Sequence, residues 1–468
     1  MTETILQTLA HFAAKTREQG IDAALQQDVK RRVMDTLGIC LAASMLEPAT
    51  IVEQVIEDWG GSPRASIVGR QQQYPASSAA LFNGTLAHAL DFDDTHLPSV
   101  LHPSASVIPA ALAVAEAAQS PGKDLLAAIA VGDELTVRIG MAGYNRELGN
   151  SVFFEKGLHA TSIAGTLGAA AAAAMLYRLD EAEIGHAIAI AASMGAGIIE
   201  ANRTGGTVKR IHCGWAAHAG IAAAELARSG LSGPPTVFEG RFGFLQAYLD
   251  EQADAQALTR KLGEEWELPR IFFKPYPTNH FTHAGIDAAR ILRAQGLDVA
   301  DITDIELGVA SAVLRTIAQP EAEKARPATG YAARFSGPFT VATALVGGGG
   351  LGVSASDFSD EAVHDPVKLE LAARVRCVAS EECDRIFPDQ FPAILRVWLK
   401  DGSMHEARVL ANRGGSENPL SDEELALKFA MNAGAVLPEA QIAALRDAIQ
   451  SLDTVDTISG MMRLLQRS

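Results

Sequence analysis

The chain has 468 residues, more than one hydrophobic core usually serves, so two domains are expected. Hydrophobic residues make up 48% and charged residues 20%, enough apolar side chain for a core in each domain and too much for a disordered chain. The formal charge of −17 excludes the basic footprint that nucleic acid or an anionic membrane demands, although a few Lys, Arg and helix N-termini can still hold a small anion.

From the start to about residue 265 the pattern is helical, punctuated by Gly, Pro and Asx. The opening segment puts Ile5, Leu6, Leu9 and Phe12 on one helical face and lacks the charged and apolar regions of a signal peptide, so a cytoplasmic location is expected. Cys40, Cys213, Cys377 and Cys383 form no C-x-x-C pair, which fits reduced thiols rather than a disulfide framework or a zinc site. The uncharged run 160–177, mostly Ala and Gly, reads as a buried bundle helix and falls short of a membrane span. Asp180 with Glu183 forms an N-cap pair opening a helix to about Ile198, and Gly230 closes one that begins near Cys213.

At 266–277 the stretch "WELPRIFFKPYP" packs prolines and aromatics unlike anything before it and marks a domain boundary. One helix at 282–295 then precedes strand-like runs at 302–312, 373–378, 393–400 and 404–410, the last two flanking the hairpin signal Asp401-Gly402. Ser421 and Glu424 form a capping box that returns the chain to helix. The expected fold is mainly α: a large all-helical domain over 1–268, a smaller α+β domain over 269–411, and C-terminal helices over 412–468 rejoining the helical domain.

Four stretches carry chemistry. In "AHALDFDDTHLPSVLHPSAS" a continuous helix would put His88, Asp91 and Thr95 on one face, and His102 precedes Pro103 at a helix start, where the dipole disfavours imidazolium and leaves a neutral base. In "EKGLHATSIAG" His159 stands just ahead of the Ala-rich helix, and in "TGGTVKRIHCGWAAHAG" the Gly205-Gly206 pair permits close backbone approach before Lys209. In "FKPYPTNHFTHAG" Lys274 sits in a Pro-stiffened loop followed by Asn279, His280 and His283. Three loops thus bring His102, His159 and Lys209 to helix mouths, the way an acidic protein can bind carboxylates; the plainer alternative is capping and linker residues with no ligand. Asp91, Asp93, Asp94, His96 and His102 are metal-ligand types, but no H-E-x-x-H or regular spacing accompanies them and Lys209 and Lys274 would compete, so no metal is expected. A prenyl-diphosphate reading fails because Leu97 stands where a further carboxylate is needed and no second acidic motif appears.

Together "DFDDTH…HPSAS", "GLHATSIAGTLGAA", "GGTVKRIHCGWAAHAG", "KPYPTNHFTHAGIDAA" and "GGSENPLSDEELALKF" resemble the MmgE/PrpD family in order and spacing over nearly the whole chain. The family includes 2-methylcitrate dehydratase, cis-aconitate decarboxylase and iminodisuccinate epimerase. The resemblance implies a helical domain with an α+β lid domain, a homodimer, and no metal or organic cofactor. It carries the active-site motifs onto Asp91, Thr95, His102, His159, Lys209 and Lys274, with Gly206, Arg210, His212, Asn279 and His280 as candidate substrate-binding residues. Two departures stand out: Asn279, followed by His280, replaces a histidine of the decarboxylase's K-x-x-P loop, and Phe339 in "RFSGPF" replaces the tyrosine ending its "RHSFQY" stretch. The expected function is that of a 2-methylcitrate dehydratase-like hydro-lyase on a small polycarboxylate, with histidine acid/base and lysine carboxylate binding. Epimerisation or isomerisation, cis-aconitate-type decarboxylation, and a non-catalytic scaffold of the same fold are the alternatives.

Overall fold

The computed structural model describes residues 3–467. Its contacts divide the chain into two compact units: one runs up to Ile271 and resumes at Phe429, and the other spans Phe272–Lys428.

The first unit is a helix bundle. Its long helices are α1 (Ile5–Gln19), α2 (Ala23–Ala43), α3 (Glu47–Trp59), α4 (Ala76–His88), α5 (Ser104–Ala118), α6 (Gly122–Ala142), α7 (Ala160–Leu176), α8 (Glu181–Ala192) and α9 (His212–Arg228). Local signals set several ends. Thr4 and Gln7 form a capping box that opens α1, which buries Leu6, Leu9 and Phe12, and Asp180 with Glu183 does the same for α8. That helix stops at Ala192 rather than near Ile198, because Gly197 takes a left-handed φ of 146° and Ile199 N–H instead donates to Gly157 O at 3.0 Å.

Every residue of α7 is buried, packed among α5, α6, α8 and α9. Its small side chains make this possible: a Cβ on Gly168 would stand 2.4 Å from Gly132 O and 2.0 Å from Thr136 Oγ1 of α6. The helical texture expected up to about residue 265 fails after α9, where Phe244–Leu249 is the one α-helix among the described residues before the boundary. Gly230, Gly233, Pro234, Pro235, Gly240 and Gly243 break the pattern into turns there.

The second unit is α+β. Strands β1 (Ile302–Val309), β2 (Val375–Ala379), β3 (Ala393–Leu399) and β4 (Met404–Val409) form one sheet of order β2-β1-β3-β4, with β1 and β2 parallel and the other pairs antiparallel. The β3–β4 hairpin turns at Asp401-Gly402, and Gly402 supplies the φ of 83°. Helix α10 (His283–Ala294) covers β3 and β4 and packs on α11 (Gly337–Val346). Ser421 and Glu424 then cap α12 (Asp422–Ala433), and α13 (Glu439–Gln450) returns to α2, where Lys30 Nζ donates to Gln450 O at 2.8 Å. Among the described residues no single helix is long and apolar enough to cross a membrane.

The α6–α7 contact leaves no space for a methyl group. Gly168→Ala should therefore lower stability by about 1–3 kcal/mol, read as a fall in Tm, whereas an unchanged Tm would contradict this packing.

Candidate acid–base site

Helix α4 ends at His88. Asp91 adopts a left-handed φ of 54°, so the chain leaves the helix and Asp91 and Thr95 do not continue its face, contrary to the continuous-helix expectation. The segment that follows loops back through a bridge between His96 and Leu101 and delivers His102 two residues ahead of α5.

A buried charge network holds this loop. Arg32 of α2, its side chain fully buried, sits 3.2 Å from Asp94 Oδ2 and 2.8 Å from Asp28, and donates to Leu268 O and Ile271 O. Ser104 Oγ lies 2.5 Å from Asp94 Oδ2 and 3.0 Å from Asp133 Oδ2. One hydroxyl proton cannot serve two carboxylates, so one carboxyl must bring its own proton. Burial, reinforced by Asp94, pushes the Asp133 carboxyl well above the ordinary carboxylate range, and burial lifts Asp94 to about 6 against the pull of Arg32. Asp133 therefore keeps the proton, and Asp94 accepts from Ser104 and Arg32.

The backbone of Asp94 then sets His102. His102 Nδ1 lies 2.6 Å from Asp94 O and 3.2 Å from Thr95 Oγ1, and His102 N–H donates to Thr161 Oγ1 at 3.2 Å. A carbonyl only accepts, so Nδ1 carries the hydrogen and the lone pair of the uncharged form sits on Nε2.

Around His102 lie three further imidazoles. His88 stands 5.6 Å from His102 and 5.4 Å from His159 between ring centroids, and His159, the residue preceding α7, stands 5.0 Å from His212 at the start of α9. The His159 and His212 Nδ1 atoms are 3.0 Å apart, which requires one to donate and the other to accept, so the two rings are not both protonated. Burial, helped by the charge on His88 and Lys209, pulls His212 down to about 4 and His159 well below the ordinary histidine range. His88 differs: burial opposes its charge, but Cys213 and Asp93, whose Oδ2 is 2.7 Å from Nδ1, outweigh it and raise the ring to about 10. One cationic imidazole thus lies beneath two neutral ones.

The rim is more open. The side chains of Lys209 and His102 are 19% and 17% exposed, against 1% for His88, so a ligand entering this cluster meets the first two. Lys209 Nζ is 3.8 Å from Asp91 Oδ1.

Of the residues singled out from sequence, Asp91, Thr95, His102, His159, Lys209 and His212 gather here. Arg210 is half-buried in the short turn 208–211, and Gly206 is exposed with a φ of 105°. Lys274, Asn279 and His280 belong to the second unit. There Lys274 is buried, Asn279 Oδ1 accepts from Phe281 N–H at 3.1 Å, and the His280 ring packs edge-on against Phe272 and Phe391. Sequence reasoning set His88 beside Asp91 and Thr95 but did not carry it into the site, and it missed Arg32 and Asp133 as supports. For Asp133 the available signal was a pair of acids within an apolar helix, "AAIAVGDELTV".

The helices carrying these groups meet backbone to backbone. A Cβ on Gly84 would stand 2.8 Å from Gly214 Cα, and one on Gly214 would stand 2.2 Å from Leu81 O, so α4 and α9 touch beside His88 and Cys213. The result is a rigid set of imidazoles, one charged and two neutral, beside an ammonium, an arrangement suited to moving a proton at a carbon next to a carboxylate, as enzymes of the lyase and isomerase classes do.

Comparison with known proteins agrees with that class. The MmgE/PrpD N-terminal domain model matches residues 7–256 and the C-terminal domain model residues 276–454. The chain belongs to the MmgE/PrpD family. It is 30% identical to the cis-aconitate decarboxylase of Homo sapiens over 458 residues, covering 95% of this chain and 91% of that one. It is 26% identical to the cis-aconitate decarboxylase-like protein oryM of Aspergillus oryzae (98% and 96% covered) and 25% identical to the cis-aconitate decarboxylase of Aspergillus terreus (98% and 95% covered).

The neutral pair gives a pH signature. The folded pKa of His212 lies below its ordinary 6.5, so the native state resists a proton that the unfolded chain accepts. Its contribution is complete above that value and is lost as pH falls toward about 4. The Tm advantage of the native protein over His212→Asn should shrink as pH is lowered from about 7 to about 4. A difference constant across that range would show that His212 is not held neutral by the fold.

Proposed function

We propose that this protein is a lyase acting on a small tricarboxylate, and that its reaction is loss of CO2 from an unsaturated substrate of the cis-aconitate type. Full-length likeness to proteins named cis-aconitate decarboxylase supports this reading over the hydro-lyase expected from sequence. The observation that carries an acid–base reaction is His102: its tautomer is fixed by Asp94 O, and it stands at the rim with Lys209.

In the proposed reaction the carbon–carbon bond to one carboxylate breaks and CO2 leaves. The electron pair spreads into the neighbouring unsaturated carboxylate, and one proton is delivered to carbon. Lys209, positioned by Asp91, holds the carboxylate that receives the charge. His102 moves the proton, with Thr95 and the neutral His159–His212 pair fixing its surroundings.

A hydro-lyase or isomerase on a related polycarboxylate is the second reading, and two features of the second unit favour it. Asn279 uses its side-chain oxygen within its own turn, and Phe339 is fully buried and offers no hydroxyl. In that case His102 removes the proton α to a carboxylate, and a hydroxide departs or the proton returns.

The two readings separate by product. Incubation with cis-aconitate should release CO2 and yield a dicarboxylate, and His102→Asn should lower kcat by about 10²- to 10⁴-fold with Tm retained. An unsaturated acid formed from a hydroxytricarboxylate without CO2 would replace the decarboxylase reading with the hydro-lyase. Deuterium uptake at an α-carbon without either product would replace it with the isomerase. Full activity of His102→Asn would remove the acid–base role.

We further propose the homodimer that the resemblance implies. Static light scattering should give the mass of two chains, and the mass of one would discard it.

A further inference from the structure

Cys213 is fully buried and has no part in the proposed reaction, yet it stands against His88 and Asp93 of the cluster. Nitrogen, oxygen and sulfur donors meet there: one potential ligand atom from each of His88, Asp93 and Cys213 lies within 4.8 Å of the other two, and all three residues are buried. We propose that His88, Asp93 and Cys213 form a binding site for one divalent cation of the zinc type.

Three features support it. The first is an unsatisfied atom. His88 Nδ1 is taken by Asp93 Oδ2 at 2.7 Å, while His88 Nε2 is buried with no hydrogen-bond partner. A buried, unpaired imidazole nitrogen is costly, and a bound cation removes the cost.

The second is donor chemistry. An imidazole, a carboxylate and a thiolate suit a borderline-soft ion, and two anionic ligands with one neutral ligand balance a dication, so the occupied site is neutral and fit to be buried. Zinc bonds of about 2.0–2.3 Å meeting at a tetrahedral angle set ligand atoms roughly 3.3–3.8 Å apart. Contraction from the present spacing asks for a shift of about 1 Å, within reach of a side-chain adjustment.

The third is rigidity. His88 ends α4 one turn after Gly84, and Cys213 adjoins Gly214, whose backbone presses on α4 at Leu81 O and Thr85. Helix motion cannot separate the nitrogen from the sulfur. Three protein ligands leave a fourth tetrahedral position for water or a carboxylate.

Occupation has a functional consequence that rests on the proposed acid–base reaction. The His88 ring is 5.6 Å from His102 and 5.4 Å from His159, and Asp93 Oδ2 is 4.0 Å from His102 Nδ1. A dication there would draw the Asp93 carboxylate onto itself and so remove a negative charge that now faces His102 and supports the base. Zinc would then act as an inhibitor of turnover.

The test uses the full-length protein, stripped with EDTA and dialysed. Titration with Co2+ should give a thiolate-to-cobalt charge-transfer absorption that saturates at one ion per chain. The band should vanish in Cys213→Ser and persist in Cys377→Ser, and zinc affinity by calorimetry should fall at least tenfold in Cys213→Ser and in His88→Gln. Should either variant fail to fold, anomalous diffraction at the zinc edge from crystals of the unsubstituted protein should place the ion within bonding distance of Cys213 Sγ. Absence of the thiolate band, its survival in folded Cys213→Ser, or an ion bound elsewhere would overturn the site. A chain inert toward every carboxylate but showing the band would sink the proposed reaction and leave the cation site standing. Turnover on a tricarboxylate that zinc does not lower, in a protein that shows the band, would overturn the inhibition alone.

Discussion

Arg32 buries its whole side chain against Asp94, and the geometry of the candidate site follows from that contact. Removing one partner of such a pair leaves an uncompensated charge in the core, at a cost of about 3–5 kcal/mol. The network also has a directional role. Arg32 and Ser104 grip the Asp94 side chain, which leaves its main-chain carbonyl free to receive His102 Nδ1. The protonated Asp133 behind Ser104 lets two carboxyl groups share one hydroxyl without repulsion. A charge balance among α2, the loop before α5, and α6 thereby selects which nitrogen of one imidazole faces chemistry.

The imidazole cluster shows how a protein of strongly negative charge can prepare a site for anions. The positive charge is concentrated on His88 and Lys209, each with a carboxylate beside it, Asp93 for the first and Asp91 for the second. Burial, together with those two cations, suppresses protonation of His159 and His212, so charge and neutrality are assigned to different rings of one cluster. Net charge at the level of composition carries no information about such a partition.

The fold was legible where its causes are local. Capping pairs at Asp180 and Ser421, the hydrophobic face of α1, the Ala-rich run of α7 and the Asp401-Gly402 turn each act within a few residues, and each appears in the structure. The continuous face through His88, Asp91 and Thr95 was not, because it depends on whether Asp91 stays helical, and the backbone there turns left-handed instead. The irregular stretch after α9 was read as helix from its composition, although its glycines and prolines carried the opposite message. The gathering of histidines at helix starts could be read from sequence motifs. The division of charge among them could not, since it arises from residues distant along the chain.

The glycine contact between α4 and α9 limits how this site can diverge. Side chains give way when neighbours change, but main chain resting on main chain has no such slack, so the spacing between the end of one helix and the start of the other behaves as a fixed ruler. Variation among relatives that alters substrate choice would then have to enter through the more open rim, at positions such as Lys209 and Arg210, while the floor of imidazoles stays in register. A scaffold of this kind can exchange one polycarboxylate for another without rebuilding its proton-handling parts.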